Sequence, residues 1–510
     1  MALKKPNIIM IFADQLRYSA VGINGNPIVR TPNLDRLARE GVVFDNAFSS
    51  CPICSPYRAQ ILTGNFAHTN GVVCNEYRLF DDQKTLPHYL KQAGYRSAYV
   101  GKWHLGYPPY TEHRRYGFDD MYAYNCIHSY YRVQYWHNED GPHQMVDFAP
   151  NVETELAIDY LKQNAEDPAG KPTCVVLSWG PPHWNNLRND RRYGDYPQIH
   201  RLYEPADIDL SDNVPIQFRD FARREIADYY GMVSSLDACM GRILDYLDSS
   251  GLADNTIVCF SSDHGDHLSS HGYGTPGDQW MHHSLQGSKA TPFDESCHIP
   301  LLLRMPGKVR PNQRSRAFVN STDVLPTLLE IAGVPVPEGI QGISVADATL
   351  ETGSHDHDSA FLQILGPGWP IRDLWLGLWR GVRTEDYLYA RWKFPKEHTL
   401  LIDLRADPAE MTNIAGISSH AKEEKQMEGR LQLWLDNTGD TFDTAPRLPV
   451  TGMIDFGQAF ITRWWLDRAP SAYAEAVRSN HDAVKTGELP GEESYGTPIQ
   501  YAADRQNPAR

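Results

Sequence analysis

The segment from Cys51 to Gly64 places a cysteine, a proline and an arginine at the start of a predicted helix. Pro56 suits the first turn of a helix, where its missing N–H leaves no hydrogen bond unmade. Cys54 then lies at the helix N-terminus, where free backbone N–H groups and the helix dipole favour an anion. Arg58 follows four residues later, on the same helical face as Cys54. The spacing predicts a nucleophile that acts on a negatively charged group.

Polar pairs follow two predicted strands elsewhere in the chain. Asp14-Gln15 comes after the apolar run 7–13, and Asp263-His264 comes just after the predicted strand 256–260. Carboxylate oxygens with one imidazole suit a hard divalent cation that also binds the oxygen of a nucleophile. Like charges that converge from two strand ends also need a cation. We therefore predict one divalent metal site at these strand ends.

A lysine and a histidine lie at the end of a third predicted strand, in Gly101-Lys102-Trp103-His104. In an extended backbone the side chains of Lys102 and His104 point to the same side. Both can then reach a single anion.

These motifs together resemble a known family. Cys54-x-Pro56-x-Arg58, followed by Thr63-Gly64, is similar to the signature of the type I sulfatases of the alkaline phosphatase superfamily. In that family the cysteine is oxidised to formylglycine by a maturation enzyme, and the hydrated aldehyde attacks sulfur. The resemblance implies that Cys54 is modified and that Arg58 steadies the hydrate. Tyr57 departs from the family pattern, in which Ser or another small residue is usual at this position.

The resemblance also implies roles for the cationic residues. Lys102 and Lys289 would bind the sulfate group, and His104 would take the proton of the diol that releases sulfate. His183 would assist the leaving group, with Lys289 as the alternative proton donor. The implied reaction is a double displacement on a sulfate monoester through a covalent sulfo-enzyme intermediate.

By the same resemblance, Asp14, the modified Cys54, Asp263 and His264 would hold a calcium ion, with Mg²⁺ or Mn²⁺ as other possible ions. Many members carry two consecutive Asp residues at the first position and Asn at the last. Gln15 is predicted either to bind the metal through its amide oxygen or to contact the metal ligands.

Three alternative functions remain open from the sequence. The pairs Asp14-Gln15 and Asp263-His264 also resemble those of phosphonate monoester and phosphodiester hydrolases, which makes such an enzyme the main alternative. A catalytically inactive protein that binds sulfated glycans is disfavoured by the intact Cys54 and Arg58. Cys51 and Cys54 could instead form a redox pair or half of a zinc site, but the sequence has no second Cys-x-x-Cys.

Four further histidines follow the predicted metal site: His267, His271, His282 and His283. They are compatible with a second metal site, but we interpret them as a polar loop rich in histidine.

Strands that alternate with helices, each strand ending in polar residues, predict a doubly wound mixed α/β sheet flanked by helices. The predicted catalytic domain spans residues 1–355. A smaller α+β subdomain with an antiparallel sheet and a helix is predicted at 356–445. The segment 116–143, rich in Tyr, Trp and His, is interpreted as a surface excursion that forms either a pocket wall or a satellite core.

Composition limits the possible partners. The net charge of −16 argues against nucleic acid and against an anionic membrane surface, and the sequence has no apolar run long enough to span a membrane. Eight scattered cysteines do not predict a disulfide framework. The expected partners are a sulfated small molecule or saccharide and the maturation enzyme. A surface rich in Tyr and Trp suits either a sugar or an aryl group.

The first residues, Met1 to Pro6, do not resemble a signal peptide, which predicts a cytoplasmic protein, or a periplasmic one if a signal was removed. The C-terminal extension 446–510 carries Phe456, Phe460, Trp464 and Trp465. It is too short for a domain and too apolar to remain in solvent, so its aromatic residues must pack on the core of the same chain or on a neighbouring subunit. We favour an arm that contributes to a homo-oligomer.

Overall fold

The computed structural model describes residues 5–442, except 76, 129, 132, 167, 169, 184–201, 273–288, 351–356, 366–377 and 395–396. The predicted C-terminal extension 446–510 and the predicted domain boundary at 355 therefore lie outside the described residues. Among the described helices, none is long and apolar enough to cross a membrane.

A ten-stranded mixed sheet organises the larger part of the chain. Its strands in chain order are β1 (Asn7–Asp14), β2 (Val42–Phe48), β3 (Arg96–Lys102), β4 (Asp120–Tyr124), β5 (Gln134–His137), β6 (Asp140–Gln144), β7 (Thr173–Pro182), β8 (Thr256–Ser262), β9 (Leu301–Arg304) and β10 (Gln313–Asn320). Their spatial order is β10-β2-β9-β8-β1-β7-β3-β4-β5-β6.

Helices cover both faces of this sheet. They are α1 (Pro32–Arg39), α2 (Cys54–Thr63), α3 (Ala67–Asn70), α4 (Leu86–Gln92), α5 (Ala149–Ala165), α6 (Arg219–Ser249), α7 (Asp294–Cys297), α8 (Val324–Ile331) and α9 (Ala346–Leu350). Ile8, Met10 and Phe12 of β1 belong to one hydrophobic core, whereas Ile9 and Ile11 belong to the other. A strand with two buried faces needs a continuous apolar run, and the segment 8–13 provides one.

A parallel group forms the centre of the sheet. Strands β4, β3, β7, β1 and β8 run parallel to one another, so their carboxyl ends meet at the same edge. Strand β9 is antiparallel to β2 and β8, and β5 is antiparallel to β4. The predicted doubly wound mixed sheet is confirmed, and ligands of such sheets bind at this carboxyl edge.

A second, four-stranded antiparallel sheet follows in the order β11 (Ala360–Ile364), β12 (Leu378–Arg383), β13 (Tyr387–Phe394) and β14 (His398–Asp403). Helix α10 (Ala421–Thr438) packs on one face through Met427, Leu431 and Leu435. The other face of this sheet contacts the larger part of the chain through a core that includes Trp379, Cys51 and Ala290. The predicted antiparallel sheet with a helix is thus confirmed.

Candidate active site

Cys54 is the first residue of α2, as its neighbours predict. Ile53 precedes the helix in an extended conformation, Pro56 lies in the first turn, and Gly64 ends the helix with a left-handed φ of 70°. Every residue of α2 is buried, and Cys54 is 1% exposed. The sulfur therefore lies at the N-terminus of a helix inside the protein, where an anion is favoured.

Two carboxylates and an imidazole surround this sulfur. Asp14 ends β1, and Asp263 directly follows the neighbouring strand β8. The Cys54 Sγ lies 3.7 Å from Asp14 Oδ1 and 3.3 Å from His264 Nε2, and that nitrogen lies 3.4 Å from Asp263 Oδ1. Ligand atoms of these four residues all lie within 4.8 Å of one another. The structure thus brings together the four residues predicted to hold a metal.

The donor set fits a hard divalent cation better after oxidation of the cysteine than before. Both carboxylates are fully buried, and burial together with the charge of Asp14 raises the pKa of Asp263 to about 6. Buried carboxylates this close need positive charge between them. A thiolate is a soft ligand, whereas hard cations prefer oxygen, so an oxygen atom at position 54 would complete the set.

Arg58 binds both carboxylates through their Oδ2 atoms. One of its terminal nitrogens donates to Asp14 Oδ2 at 2.9 Å and to Asp263 Oδ2 at 3.2 Å. The other donates to the carbonyl of Lys102 at 2.5 Å and to the hydroxyl of Ser178 at 2.7 Å. This fully buried guanidinium is therefore fixed by three strands of the sheet.

Lys102 and His104 both reach the site, but not through the predicted extended backbone. Strand β3 ends at Lys102, and His104 has a left-handed φ of 54°. The Lys102 ammonium donates to Asp14 Oδ2 at 2.5 Å, and the His104 side chain hydrogen-bonds to Cys54. The two side chains converge because the backbone turns after β3.

Lys289 lies at the centre of the cluster. Its ammonium is 3.2 Å from Cys54 Sγ and 3.1 Å from His183 Nε2, and it donates to Gln15 Oε1 at 3.1 Å. His183 follows β7 and is 1% exposed. The Gln15 amide oxygen therefore faces the cluster, while its amide nitrogen donates to Asp266.

The surrounding cations control the charge of the predicted nucleophile. Burial alone would raise the pKa of the Cys54 thiol, but Lys102 and Lys289 lower it well below its ordinary value. By contrast, burial raises the pKa of the Cys51 thiol. The site therefore favours negative charge at position 54 and not at position 51.

Of the four further histidines, His267 and His271 lie within the described residues. His282 and His283 are outside the described residues. His267 is buried, and its Nε2 forms a hydrogen bond with Thr291 Oγ1 at 2.7 Å. The His271 Nε2 lies 3.4 Å from Glu295 Oε2. Ligand atoms of His267, His271 and Glu295 lie within 4.8 Å of one another. We expected these histidines to lie in a polar loop, but the side chain of His267 is buried.

The segment 116–143 contributes residues that sequence reasoning did not assign. Strand β4 is an internal strand of the sheet, and β5 and β6 extend it. Just beyond β4, Cys126 hydrogen-bonds to His104, and the ring of His128 stacks on His183. Polar residues that follow a strand could have indicated Cys126 and His128 as site residues. However, β4 has only five residues and shows no clear alternation of apolar and polar side chains, so the strand itself was not recognised.

The family of the chain follows from comparison with known proteins. The sulfatase family model matches residues 6–334, which is more than half of the chain. The chain belongs to the sulfatase family. A second model, described as the C-terminal part of N-sulphoglucosamine sulphohydrolase, matches residues 287–436 of this sulfatase. The enzyme is accordingly a hydrolase of sulfate esters.

Relatives match this sulfatase over most of its length. An ulvan-active sulfatase from Formosa agariphila is 32% identical over 450 residues, covering 86% of this chain and 82% of that protein. An N-acetylglucosamine-6-O-sulfatase from Bacteroides thetaiotaomicron is 28% identical, covering 86% and 89%. A structure solved with its substrate D-glucosamine-2-N,6-O-disulfate has a TM-score of 0.71 at 26% identity, covering 86% of this chain and 99% of that one.

Proposed function

We propose that this sulfatase removes sulfate from a sulfated saccharide, with an oxidised Cys54 as the nucleophile. The observation that carries the proposal is the position of Cys54, at the N-terminus of a buried helix and in contact with Lys289, His264 and Asp14. The saccharide is supported by the relatives, two of which act on ulvan and on N-acetylglucosamine sulfate according to their names.

The proposed nucleophile is formylglycine at position 54, made by a maturation enzyme. One hydroxyl of its hydrated aldehyde would attack sulfur and displace the alcohol. Loss of the proton from the second hydroxyl would then re-form the aldehyde and expel sulfate, without direct attack of water on sulfur. The lowered pKa of Cys54 supports this assignment, since the same cations would stabilise an oxyanion at that position.

We propose that Asp14, Asp263, His264 and the modified Cys54 hold one divalent cation, most simply calcium. Gln15 would be a further oxygen donor or a partner of Lys289. When bound, such an ion supplies positive charge that polarises the sulfate group and favours the ionised nucleophile. The contacts from Arg58 to Oδ2 of both carboxylates support the assignment, because they fix the two groups while the Oδ1 atoms face Cys54 and His264.

The remaining roles follow from positions around the sulfur of Cys54. Lys102 and Lys289 would bind the sulfuryl oxygens, where negative charge increases in the transition state. His104, hydrogen-bonded to Cys54, would act as the base that accepts the proton of the diol. His183, 3.1 Å from the Lys289 ammonium, would share with it the protonation of the leaving alcohol.

A substrate panel with a mass measurement tests the proposal. The peptide that contains position 54 should be about 18 Da lighter than the same peptide with an unmodified cysteine, because the thiol has become an aldehyde. Sulfated saccharides should be hydrolysed with a higher kcat/KM than aryl sulfates or phosphonate monoesters. Cys54→Ala should abolish turnover, and Cys51→Ala serves as the control that retains most of it.

Two outcomes would contradict the proposal. Equal losses from Cys54→Ala and Cys51→Ala would favour a redox pair. A higher kcat/KM for phosphonate monoesters would favour the alternative hydrolase, which Asp14-Gln15 and Asp263-His264 resemble.

A further inference from the structure

The leaving-group side of the site contains two side chains that the proposed mechanism does not use. Cys126 and His128 follow β4 and are half-buried, whereas His104, His183 and Lys289 are each 1% exposed. They therefore lie between the buried reaction centre and solvent. His128 contacts His183 and Cys126 contacts His104, so these two residues bear on the positions of the proposed proton-transfer groups.

His128 contacts the catalytic imidazole face to face. The ring centroids of His128 and His183 are 4.0 Å apart with an interplanar angle of 19°. The torsion that rotates an imidazole ring has broad, roughly two-fold minima, so rotation of the His183 ring is restricted mainly by its neighbours. The stacked ring of His128 supplies such a restriction.

The same segment also fixes the backbone of His183. The hydroxyl of Tyr130 donates to the carbonyl of His183 at 2.6 Å and to the carbonyl of Gly180 at 2.9 Å. Tyr130 is buried, so these hydrogen bonds are protected from water. Residues 128 and 130 therefore hold His183 at its ring and at its backbone.

Cys126 connects this stack to the other catalytic histidine. Its Sγ lies 3.3 Å from His128 Nε2, and its side chain also hydrogen-bonds to His104. His104 is the proposed base of the second step and His183 belongs to the first, so the Cys126 thiol and the His128 ring together connect the two proton-transfer groups.

We propose that His128 and Cys126 are positioning residues: His128 holds the His183 ring in the orientation that protonates the leaving alcohol, and Cys126 orients His128. The inference rests on the proposed function, since it assigns His183 to the leaving-group side. A proton donor must lie within hydrogen-bond reach of the departing oxygen, and a displacement of 1 Å can cost a factor of about 100 in rate.

The way in which kcat depends on the leaving group distinguishes a positioning role of His128 from a general structural role. A sugar alkoxide is a poor leaving group and needs a proton, whereas 4-nitrophenolate departs without one. His128→Ala should lower kcat for a sugar sulfate by about 10- to 100-fold with a small change in KM. For 4-nitrophenyl sulfate the same variant should keep kcat within about threefold of the wild type.

Conservative and control variants complete the experiment. His128→Phe keeps a flat ring against His183 and should recover most of the lost kcat. Cys126→Ser keeps a hydrogen-bonding group and should lose less than Cys126→Ala. His137→Ala is the matched control, because His137 also stacks on an aromatic ring, that of Tyr122 at 4.3 Å, on the neighbouring strands. It should leave both substrates unaffected.

A crystal structure of His128→Ala gives a readout independent of activity. We expect the His183 ring to rotate away from its 3.1 Å contact with the Lys289 ammonium. An unmoved ring, an equal loss on both sulfates, or no recovery in His128→Phe overturns the inference. If the wild type hydrolyses neither sulfate, the proposed function fails, and the position of the His183 ring still decides the positioning role.

Discussion

Lys102 contributes one fixed positive charge to the site, in contact with Asp14 and close to Cys54. Removal of one fixed donor from a charged transition state typically costs about 10²- to 10³-fold in rate. We therefore expect Lys102→Ala to lower kcat on a sulfate monoester by this factor, as measured by steady-state kinetics. Lys162→Ala removes an exposed lysine that pairs with Asp159 and should have no effect. A loss below tenfold for Lys102→Ala would argue against its role.

Asp263 is predicted to bind the metal through a charged oxygen. Asp263→Asn keeps the shape of the side chain but removes its charge, so it should lower both bound metal and activity. Elemental analysis of the purified variant and titration of metal into the chelated protein measure the first effect. Full activity of a thoroughly chelated wild-type sample would contradict a metal-dependent reaction.

Several predicted site residues share one property that made them accessible to sequence reasoning: they follow a recognisable strand or lie in the first turns of a helix, whereas Lys289 was assigned only through the family resemblance. Asp14, Lys102 and Asp263 directly end or follow apolar runs. The sequence does not indicate which contacts these side chains make in the folded protein. The turn at His104, with its left-handed φ, and the stack of His128 on His183 depend on tertiary packing that no local pattern records.

At the scale of elements, the contact between β3 and β7 depends on a glycine. Gly101 has a φ of +100°, and a Cβ at this position would lie 2.1 Å from the carbonyl oxygen of Ser178. Gly101→Ala should lower the free energy of unfolding by at least about 1–3 kcal/mol, as overpacking does, and displace Lys102. Gly94→Ala is the matched control, since Gly94 also has a positive φ but a Cβ there meets nothing within 4 Å. Equal destabilisation of the two variants in urea would exclude the steric reason.

Helix α5 packs on β7 and β3 and brings a carboxyl group into the core. Glu153 is fully buried and accepts a hydrogen bond from the Tyr124 hydroxyl at 2.9 Å. Burial raises its pKa from 4.5 to about 8. Between these two values the folded protein keeps a proton that the unfolded chain has lost, so stability falls as pH rises, by up to about 1.4 kcal/mol per pH unit.

Glu153→Gln should remove this part of the pH dependence, because a neutral amide has no proton to lose. The variant should gain Tm relative to the wild type between pH 5 and pH 8, as measured by thermal unfolding. Glu166→Gln, at the exposed end of the same helix, should leave the dependence unchanged. An identical pH slope in wild type and Glu153→Gln would show that Glu153 is ionised in the folded protein.

The elements were predictable to different degrees for physical reasons. Strands β1, β7 and β8 are buried on both faces, so each requires an apolar run that is visible in the sequence. Strands β5 and β6 lie at the sheet edge with half-exposed or exposed residues, and their sequences therefore carry no such run. β5 pairs with β4 and β6 pairs with β5, so their positions depend on the preceding strand and not on their own composition.

At the scale of the whole molecule, the small sheet supports the segment that carries Lys289. Arg383 pairs with Asp294 at 2.9 Å, and the indole nitrogen of Trp379 donates to the carbonyl of Ala290 at 3.3 Å. The backbone N–H of Asp294 donates to Glu410 at 2.9 Å. The position of Lys289 in the active site is therefore coupled to the C-terminal subdomain, although no residue of that sheet reaches the sulfur of Cys54 among the described contacts.

The aromatic residues after Pro446 lead to a prediction about assembly. We expect the full chain to form a homo-oligomer, because Phe456, Phe460, Trp464 and Trp465 need an apolar surface to cover them. Light scattering on the full chain and on a chain that ends near Pro446 measures the two masses. A truncated chain that becomes monomeric supports the arm, and a full-length monomer at micromolar concentration contradicts it.

The depth of Cys54 has a consequence for the order of events during biosynthesis. A thiol that is 1% exposed, on a helix buried along its whole length, cannot enter the active site of another enzyme once the chain has folded. The proposed oxidation of Cys54 would then have to precede folding, and a molecule that folded first would stay inactive. The fraction of active enzyme would therefore depend on how much maturation enzyme meets the nascent chain. Maturation enzyme added to purified, folded protein should restore nothing, whereas the same enzyme present during synthesis or refolding should.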